Sequence, residues 1–153
     1  YAAVKKLYDQ NIMVGSPDGY FYPLHNVTYS EFMTIMDRYL KTSLTWKGNA
    51  LESVILDQGK ITLKELNAMK QKEYMTREDI VTILYQYLML KDPNNQVTLE
   101  PLNFKDSSQI SRKKEVNYLT TLRIIQGADG YFLPKRNISR QELACILREI
   151  IKY

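Results

Sequence analysis

Few side chains of this sequence could carry out covalent chemistry. His25 is the only histidine, and no serine or cysteine nucleophile is paired with it by any motif. Cys145 is the only cysteine, which excludes an intrachain disulfide and a cluster of thiolate metal ligands. We expect Cys145 to be a small, buried packing residue. The sequence therefore predicts a protein that is not an enzyme and that needs no cofactor or metal.

One polar pattern occurs twice in the sequence. GSPDGYFYP occupies residues 15–23, and GADGYFLP occupies residues 127–134. Asp-Gly is typical of a tight turn with a positive φ, the Phe is placed to anchor the segment in a core, and the Pro stiffens its exit. Read as an EF-hand with Gly19 in sixth place, the first segment has Val14 and His25 at positions one and twelve, so calcium binding is not expected. The pattern suits a structural turn and a binding loop equally well.

The two loops belong to a longer repeat of helix, loop and helix. Gly19 aligns with Gly130 at an offset of 111 residues. The pairs that then match are Phe21 and Phe132, Pro23 and Pro134, Asn26 and Asn137, Val27 and Ile138, and Glu31 and Glu142. Upstream of the loops the offset is 112, because GSPD is one residue longer than GAD. A match of this length indicates a repeated structural unit.

Three helices with the same start signal and the same apolar pattern indicate three repeats. Thr28, Thr76 and Ser139 each precede an acidic residue by three positions, which is the arrangement of a capping box. Apolar residues follow at the i, i+3, i+4, i+7, i+8 spacing of a half-buried helix. These stripes are Phe32, Ile35, Met36, Tyr39 and Leu40; Ile80, Ile83, Leu84, Tyr87 and Leu88; and Leu143, Ile146, Leu147, Ile150 and Ile151.

The middle repeat keeps both helices and lacks the loop. Its first helix is indicated by WKGNALESVILDQG, in which Gly59 is a natural stop. The loop is replaced by LKELNAMKQKEY, which has neither Gly nor Pro and is expected to form an extra helical turn. A segment rich in Pro, Asn and Ser then connects to the third repeat. We divide the chain into repeat 1 at residues 1–43, repeat 2 at 44–92, and a connector with repeat 3 at 93–153, together one module.

The bulk properties narrow the classes of partner. The chain has 153 residues, a formal net charge of +4 and a pI near 9.0, which favours anionic partners. Its longest strongly apolar stretch, IVTILYQYLML, is too short to cross a bilayer, so membrane insertion is not expected. The chain begins at Tyr1 without an initiator Met or a signal sequence, and we interpret it as part of a larger polypeptide.

The three units in register resemble the S-layer homology repeat. That family's pattern joins a Gly, Asp-Gly, Phe and Pro loop to Ile-Thr-Arg-Ala-Glu-Phe, and the corresponding segments here are VTYSEF, MTREDI and ISRQEL. The family's Trp matches Trp46, and its early Phe-x-Asp matches Phe104 and Asp106. The resemblance covers nearly the whole chain. It implies an all-α fold in which three helix-loop-helix repeats pack as a pseudo-threefold bundle.

The resemblance also implies a function at the bacterial cell surface. Modules of this family hold proteins to the cell wall noncovalently by binding an acidic, often pyruvylated, secondary wall polysaccharide in grooves between repeats. The family's Thr-Arg motif corresponds to Arg77 and Arg140, whose guanidinium groups suit bidentate binding of a ketal carboxylate. Trp46 is expected to stack on a sugar or to pack in the core. The loop residues that the resemblance implies in ligand binding are Gly15, Asp18, Gly19, Gly127, Asp129 and Gly130. We expect Arg140→Ala to lower polymer affinity with little change in melting temperature.

The chain also departs from the family pattern. Tyr29 takes the Arg position in repeat 1, and Ser111 takes the Trp position in repeat 3, so one or two grooves at most are expected to bind. An alternative is an eroded module that serves as a protein-interaction or spacer domain of a surface protein. The segment ISRQELACILREI also resembles part of a DNA-reading helix-turn-helix, but it has no dense Arg/Lys stripe for phosphates, so no nucleic-acid partner is expected.

Overall fold

The computed structural model describes residues 1–42 and 50–152, in which the regular structure is helical. The helices are α1 (Ala2–Asp9), α2 (Tyr29–Thr42), α3 (Leu51–Asp57), α4 (Leu63–Gln71), α5 (Arg77–Lys91), a short 3₁₀ helix (Ser107–Gln109), α6 (Lys113–Thr121) and α7 (Arg140–Ile150). Strand-like pairing in the described ranges consists of isolated bridges. The all-α class is therefore confirmed, and the pseudo-threefold packing of the repeats remains a prediction.

The chain divides into two compact units. The first contains Tyr1–Met75 and Ile138–Tyr153, and the second contains Thr76–Asn137. Within the first unit, α1 packs on α7, and α2 packs on both α3 and α4. Within the second unit, α5 packs on α6. The boundaries of these units fall inside the predicted repeats 2 and 3, so the units and the repeats describe the chain in different ways.

The predicted helix starts are present. The amide of Thr28 donates to Glu31 Oε2 at 3.0 Å, and the amide of Glu31 donates to Thr28 Oγ1 at 3.1 Å. The equivalent residues of α5 form the same reciprocal capping box. At α7 the side chain of Ser139 accepts from the amide of Glu142, which is one half of the box. Each cap satisfies amide groups that have no partner within the helix.

The predicted apolar stripes lie in the cores of the two units. All stripe residues of α2 and α5 are buried, as are those of α7 except Ile151, which is half-buried. Helix α5 differs from the expected half-buried helix because residues 80–88 are buried without a break. This stretch is apolar almost throughout, and a helix that is apolar on all sides is buried on all sides.

Cys145 is exposed, which corrects the prediction that it is a buried packing residue. The buried face of α7 is set by Leu143, Ala144, Ile146 and Leu147. Position 145 lies about 200° around the helix from Leu143, on the side that faces away from the core. Its small apolar character alone did not indicate the face on which it lies.

Helix α4 takes the place of the loop in repeat 2 without insertion or deletion. At an offset of 48 residues, Thr28 aligns with Thr76 and Phe21 aligns with Met69. Met69 is buried, so it fills a core position equivalent to that of the loop Phe. The helix has 9 residues, which is longer than the single extra turn predicted.

Equivalent residues end the first helix of each repeat in the left-handed region. Asn11 has a φ of 56°, Gly59 of 66° and Arg123 of 58°. This conformation closes an α-helix and redirects the chain. The prediction of Gly59 as a helix stop is thus confirmed, and the other two repeats make the same turn with non-glycine residues.

Three equivalent residues form a closed ring of backbone hydrogen bonds within the first unit. Val27 N–H donates to the carbonyl of Ile138 at 3.0 Å, Ile138 N–H to that of Met75 at 3.1 Å, and Met75 N–H to that of Val27 at 2.8 Å. The three side chains are fully buried. The ring fixes the chain immediately before the caps Thr28 and Ser139, and so sets where α2 and α7 begin.

Candidate ligand-binding site

Arg140, the first residue of α7, clamps the first loop (residues 15–23). Its Nε donates to the carbonyl of Phe21 at 2.9 Å, and its Nη2 donates to the carbonyl of Val14 at 2.8 Å. The guanidinium carbon lies 4.7 Å from the centre of the Phe21 ring. The amide of Arg140 donates to the carbonyl of His25 at 2.9 Å. One residue therefore holds the loop at its entrance, its middle and its exit.

Arg77, the first residue of α5, makes the same contacts with the third loop (residues 127–134). Its Nε donates to the carbonyl of Phe132 at 2.9 Å, and its Nη2 donates to the carbonyl of Gln126 at 2.6 Å. The guanidinium carbon lies 5.0 Å from the centre of the Phe132 ring. The amide of Arg77 donates to the carbonyl of Arg136 at 2.9 Å. These partners are the residues equivalent to those that Arg140 contacts, so the clamp is a repeated feature.

The structure thus places each Arg of the Thr-Arg motif against one intact loop. Arg140 lies on the loop that contains Gly15, Asp18 and Gly19, and Arg77 lies on the loop that contains Gly127, Asp129 and Gly130. Trp46 lies outside the described residues. The sequence indicated both arginines and both loops, but it indicated neither the carbonyl partners nor the reach of more than 100 residues between Arg140 and the first loop.

In Arg140 the Nε–Nη2 edge of the guanidinium is occupied by loop carbonyls, so a ligand would meet the opposite edge. In Arg140 this edge faces Glu31, whose Oε1 lies 3.4 Å from Nη1. The Arg140 side chain is 11% exposed and that of Glu31 is 43% exposed. A distance of 3.4 Å is long for a charge-assisted hydrogen bond, so Glu31 holds this edge weakly.

Backbone conformation and close packing explain why glycine occupies three of the loop positions. Gly19 and Gly130 have φ values of 86° and 82°, the left-handed conformation expected of the Asp-Gly turn. A Cβ at Gly127 would lie 2.4 Å from the carbonyl oxygen of Tyr131 and 2.6 Å from the Phe104 ring. No larger residue fits at position 127, which explains its identity without a ligand.

Asp106 also holds the third loop, through two backbone amides. The amides of Phe132 and Leu133 donate to its Oδ1 at 2.9 Å and its Oδ2 at 2.8 Å. Burial alone would raise the pKa of Asp106, but these two amide donors and the charge of Arg77 outweigh it and lower the pKa below its ordinary value. In the sequence, Asp106 was recognised as part of a Phe-x-Asp pattern, but no role was assigned to it. That pattern is the signal that could have indicated its contact with the third loop.

The first loop carries a group of aromatic rings that the sequence analysis did not single out. Tyr22 and His25 are stacked with ring centroids 4.6 Å apart and planes 8° apart, and Tyr20 lies 5.9 Å from Tyr22. Tyr22 Oη donates to a carboxylate oxygen of Asp18. This bond and the amide of Tyr20 lower the pKa of Asp18. The signal available in the sequence was the alternation of Tyr20 and Tyr22 next to the only histidine.

Tyr29, at the Arg position of repeat 1, builds a different arrangement. Its hydroxyl donates to Glu52 Oε2 at 2.8 Å, and Lys70 Nζ lies 2.6 Å from Glu52 Oε1. Lys70 Nζ also lies 5.3 Å from the centre of the Tyr29 ring. Burial and the neighbouring Glu52 raise the pKa of Tyr29, so it stays a neutral hydroxyl. An aromatic ring thus occupies the arginine position in repeat 1, and a lysine from α4 supplies the cation beside it.

A cleft of about 520 Å³ lies beside Tyr29 in the first unit. It contains three carboxylates and two lysines, so its charge does not favour an anion. The cleft is lined by Thr28, Tyr29, Ser30, Met33, Thr34, Asp37, Glu52, Lys70, Lys72 and Glu73. Within the described ranges, no group of three or more His, Cys, Asp or Glu side chains is arranged to hold a metal ion.

Comparisons with known proteins agree with the repeated architecture. A sequence profile of the S-layer homology domain matches residues 1–33 and 103–144. The chain is 27% identical over 167 residues to an endoglucanase of Bacillus sp. (strain KSM-635), an alignment that covers 97% of this chain. The chain spans 17% of the length of that relative. Repeats 1 and 3 are thus recognised by the profile, whereas repeat 2, which has lost its loop, is not.

S-layer homology domains are noncatalytic modules that anchor larger surface proteins to the bacterial cell wall. Among the residues that the structure describes, no helix is both long and apolar enough to cross a membrane. Residues 1–33 and 103–144 are thus S-layer homology segments, and the relative aligns with 97% of this chain.

Proposed function

We propose that this chain anchors a larger surface protein to the cell wall by binding an acidic, pyruvylated secondary wall polysaccharide at Arg140 and the first loop. The observation that carries the proposal is the position of Arg140, whose guanidinium lies on the loop backbone while its side chain stays 11% exposed. A permanently charged planar fork suits the carboxylate of a pyruvyl ketal. The formal net charge of +4 also favours an anionic polymer.

The edge of Arg140 that faces Glu31 is where the ligand carboxylate would bind. The contact between Nη1 and Glu31 Oε1 is 3.4 Å long, and Glu31 keeps a shorter bond through Oε2 to the amide of Thr28. A ligand carboxylate can therefore displace one oxygen of Glu31 from Nη1 without breaking the helix cap. Gly15, Asp18 and Gly19 would supply the backbone and carboxylate contacts for sugar hydroxyls.

A second, weaker site is proposed at Arg77 and the third loop. Arg77 is only 6% exposed and is held among loop carbonyls, which leaves less of its guanidinium for a ligand. Lys105 adds a cation at this loop, with its Nζ 3.3 Å from the carbonyl oxygen of Asp129. Gly127, Asp129 and Gly130 would line this site as their counterparts line the first.

The cleft at Tyr29 is not proposed as a site for the acidic sugar. Its carboxylates Asp37, Glu52 and Glu73 would repel an anion, and Lys70 is already paired with Glu52. This assignment agrees with the expectation that one or two grooves at most bind the polymer.

One observation favours the alternative of a protein-interaction or spacer domain. Both arginines direct two donors at the protein's own loop carbonyls, as residues that hold a fold together do. On that account the clamps stabilise the module, and no acidic sugar is bound.

Sedimentation with Gram-positive wall sacculi separates the two functions. Sacculi that keep their secondary polysaccharide should pellet the chain, and sacculi stripped of that polymer should not. A charge-matched control is the Arg140→Lys variant, which keeps the cation but lacks the planar fork and should pellet less. Equal pelleting with both kinds of sacculi, or pelleting with neither, would contradict the proposal.

A further inference from the structure

The first loop carries aromatic rings that its turn does not require. At the position of Tyr22 the third loop has Leu133, and at the position of His25 it has Arg136. Tyr22 and Leu133 share the left-handed conformation, with φ values of 52° and 59°. The same backbone is therefore built without these rings, and their presence in the first loop needs another explanation.

Of these rings, Tyr22 is held by its neighbours, and Tyr20 and His25 are exposed to solvent. The Tyr22 ring lies flat on His25, and its hydroxyl is fixed by Asp18. Tyr20 is 67% exposed. Its counterpart Tyr131 is 42% exposed and has Lys105 Nζ 5.1 Å from the centre of its ring. The first loop thus presents a half-buried Tyr22 ring that is held by two neighbours and, beside it, a Tyr20 ring that is open to solvent.

The aromatic surface adjoins the arginine clamp in the first unit. Arg140 Nε binds the carbonyl of Phe21, the residue between Tyr20 and Tyr22. Its amide binds the carbonyl of His25. The rings and the Asp18 carboxylate consequently belong to one short stretch of chain, residues 18–25, to which Arg140 is hydrogen-bonded.

We infer that Tyr20, Tyr22 and His25 form a stacking subsite for an uncharged pyranose ring next to the acidic sugar at Arg140. The inference rests on the proposed function and names a second sugar that the same site takes. One face of a hexopyranose presents C–H groups, which pack on the negative face of an aromatic ring. The Asp18 carboxylate accepts hydrogen bonds from the hydroxyls of that sugar.

Pelleting on sacculi that carry the polysaccharide tests the subsite with variants of the whole chain. Tyr20→Ala should weaken binding roughly three- to tenfold, the range expected for losing one aromatic contact. Tyr22→Leu, which installs the residue of the third loop, should weaken it by a similar factor. The matched control Tyr8→Ala removes an exposed tyrosine of α1, outside both loops, and should change binding less than about twofold. Melting temperatures measured for all three variants separate a loss of the subsite from a loss of folding.

The outcomes distinguish this inference from the function on which it rests. Unchanged binding by both first-loop variants, or an equal loss in Tyr8→Ala, would overturn the stacking subsite while polymer binding stands. If the unaltered chain does not pellet with polymer-bearing sacculi, the proposed function fails and the subsite fails with it.

Discussion

In the third loop, Arg77 Nε donates to the carbonyl of Phe132, and the amide of Phe132 donates to Asp106. In the first loop, Arg140 Nε donates to the carbonyl of Phe21, and the position that would correspond to Asp106 falls before Tyr1. Phe132 is fully buried, whereas Phe21 is half-buried. The comparison teaches that the same arginine clamp holds a phenylalanine that is fully buried in one loop and half-buried in the other.

Replacing Arg77 by alanine should have the largest effect on stability. The change leaves the carbonyls of Phe132 and Gln126 without their charged donor, and we expect a loss of about 3 kcal/mol in the free energy of unfolding. Urea unfolding followed by circular dichroism measures it. A loss below about 1 kcal/mol would show that the third loop does not depend on its clamp.

Asp106→Asn should cost about 2 kcal/mol at neutral pH, because an amide cannot accept from both Phe132 and Leu133 as a carboxylate does. The folded-state pKa of Asp106 is lowered, so its contribution is present above the ordinary value of 3.8 and is lost as the pH falls through the folded-state pKa. Unfolding measured from pH 7 to pH 2 should therefore show a smaller acid-dependent loss in the Asn variant than in the unaltered chain. Parallel pH profiles for the two would contradict this role.

Arg140→Ala should cost about 1.5 kcal/mol of stability as well as polymer affinity. The sequence alone led us to expect little change in melting temperature, but the bonds to Phe21 and Val14 make Arg140 part of the fold. Its cost should be lower than that of Arg77→Ala because Arg140 is the more exposed of the two. A larger loss of stability in Arg140→Ala than in Arg77→Ala would reverse the comparison between the loops.

Glu31→Gln should have the smallest effect of the four variants, and it should raise polymer affinity where Arg140→Ala lowers it. Glutamine can keep the bond to the amide of Thr28, while the negative charge facing Arg140 Nη1 is removed. Affinity for the acidic polymer should rise about twofold, and stability should stay within about 0.5 kcal/mol. Isothermal titration with purified polysaccharide measures the affinity. A fall in affinity would mean that Glu31 contributes to the site rather than competing with the ligand.

The local features of the fold could be predicted because local chemistry determines them. The caps at Thr28, Thr76 and Ser139 and the apolar stripes behind them follow from spacing alone. The face of Cys145 could also have been obtained in this way, had the stripe of α7 been extended to its neighbours.

The contacts of the candidate site could be predicted only in part. Equivalent spacing indicated that Arg77 and Arg140 occupy the same position in their repeats. Their carbonyl partners, however, lie 49 to 126 residues away in the sequence. The backbone hydrogen bonds among Val27, Met75 and Ile138 likewise join residues that are far apart in the sequence. No local pattern specifies which loop a given arginine reaches, and that choice is made by tertiary packing.

The central claim, recognition of an acidic wall sugar at Arg140, is tested most directly by titrating the chain with purified secondary wall polysaccharide before and after mild acid removes its pyruvyl ketals. Arg140 pairs with the ketal carboxylate in this account, so removal should weaken binding about tenfold or more. Equal affinity for the two polysaccharides would contradict the account, since a site that does not sense the carboxylate has no use for the charge of Arg140.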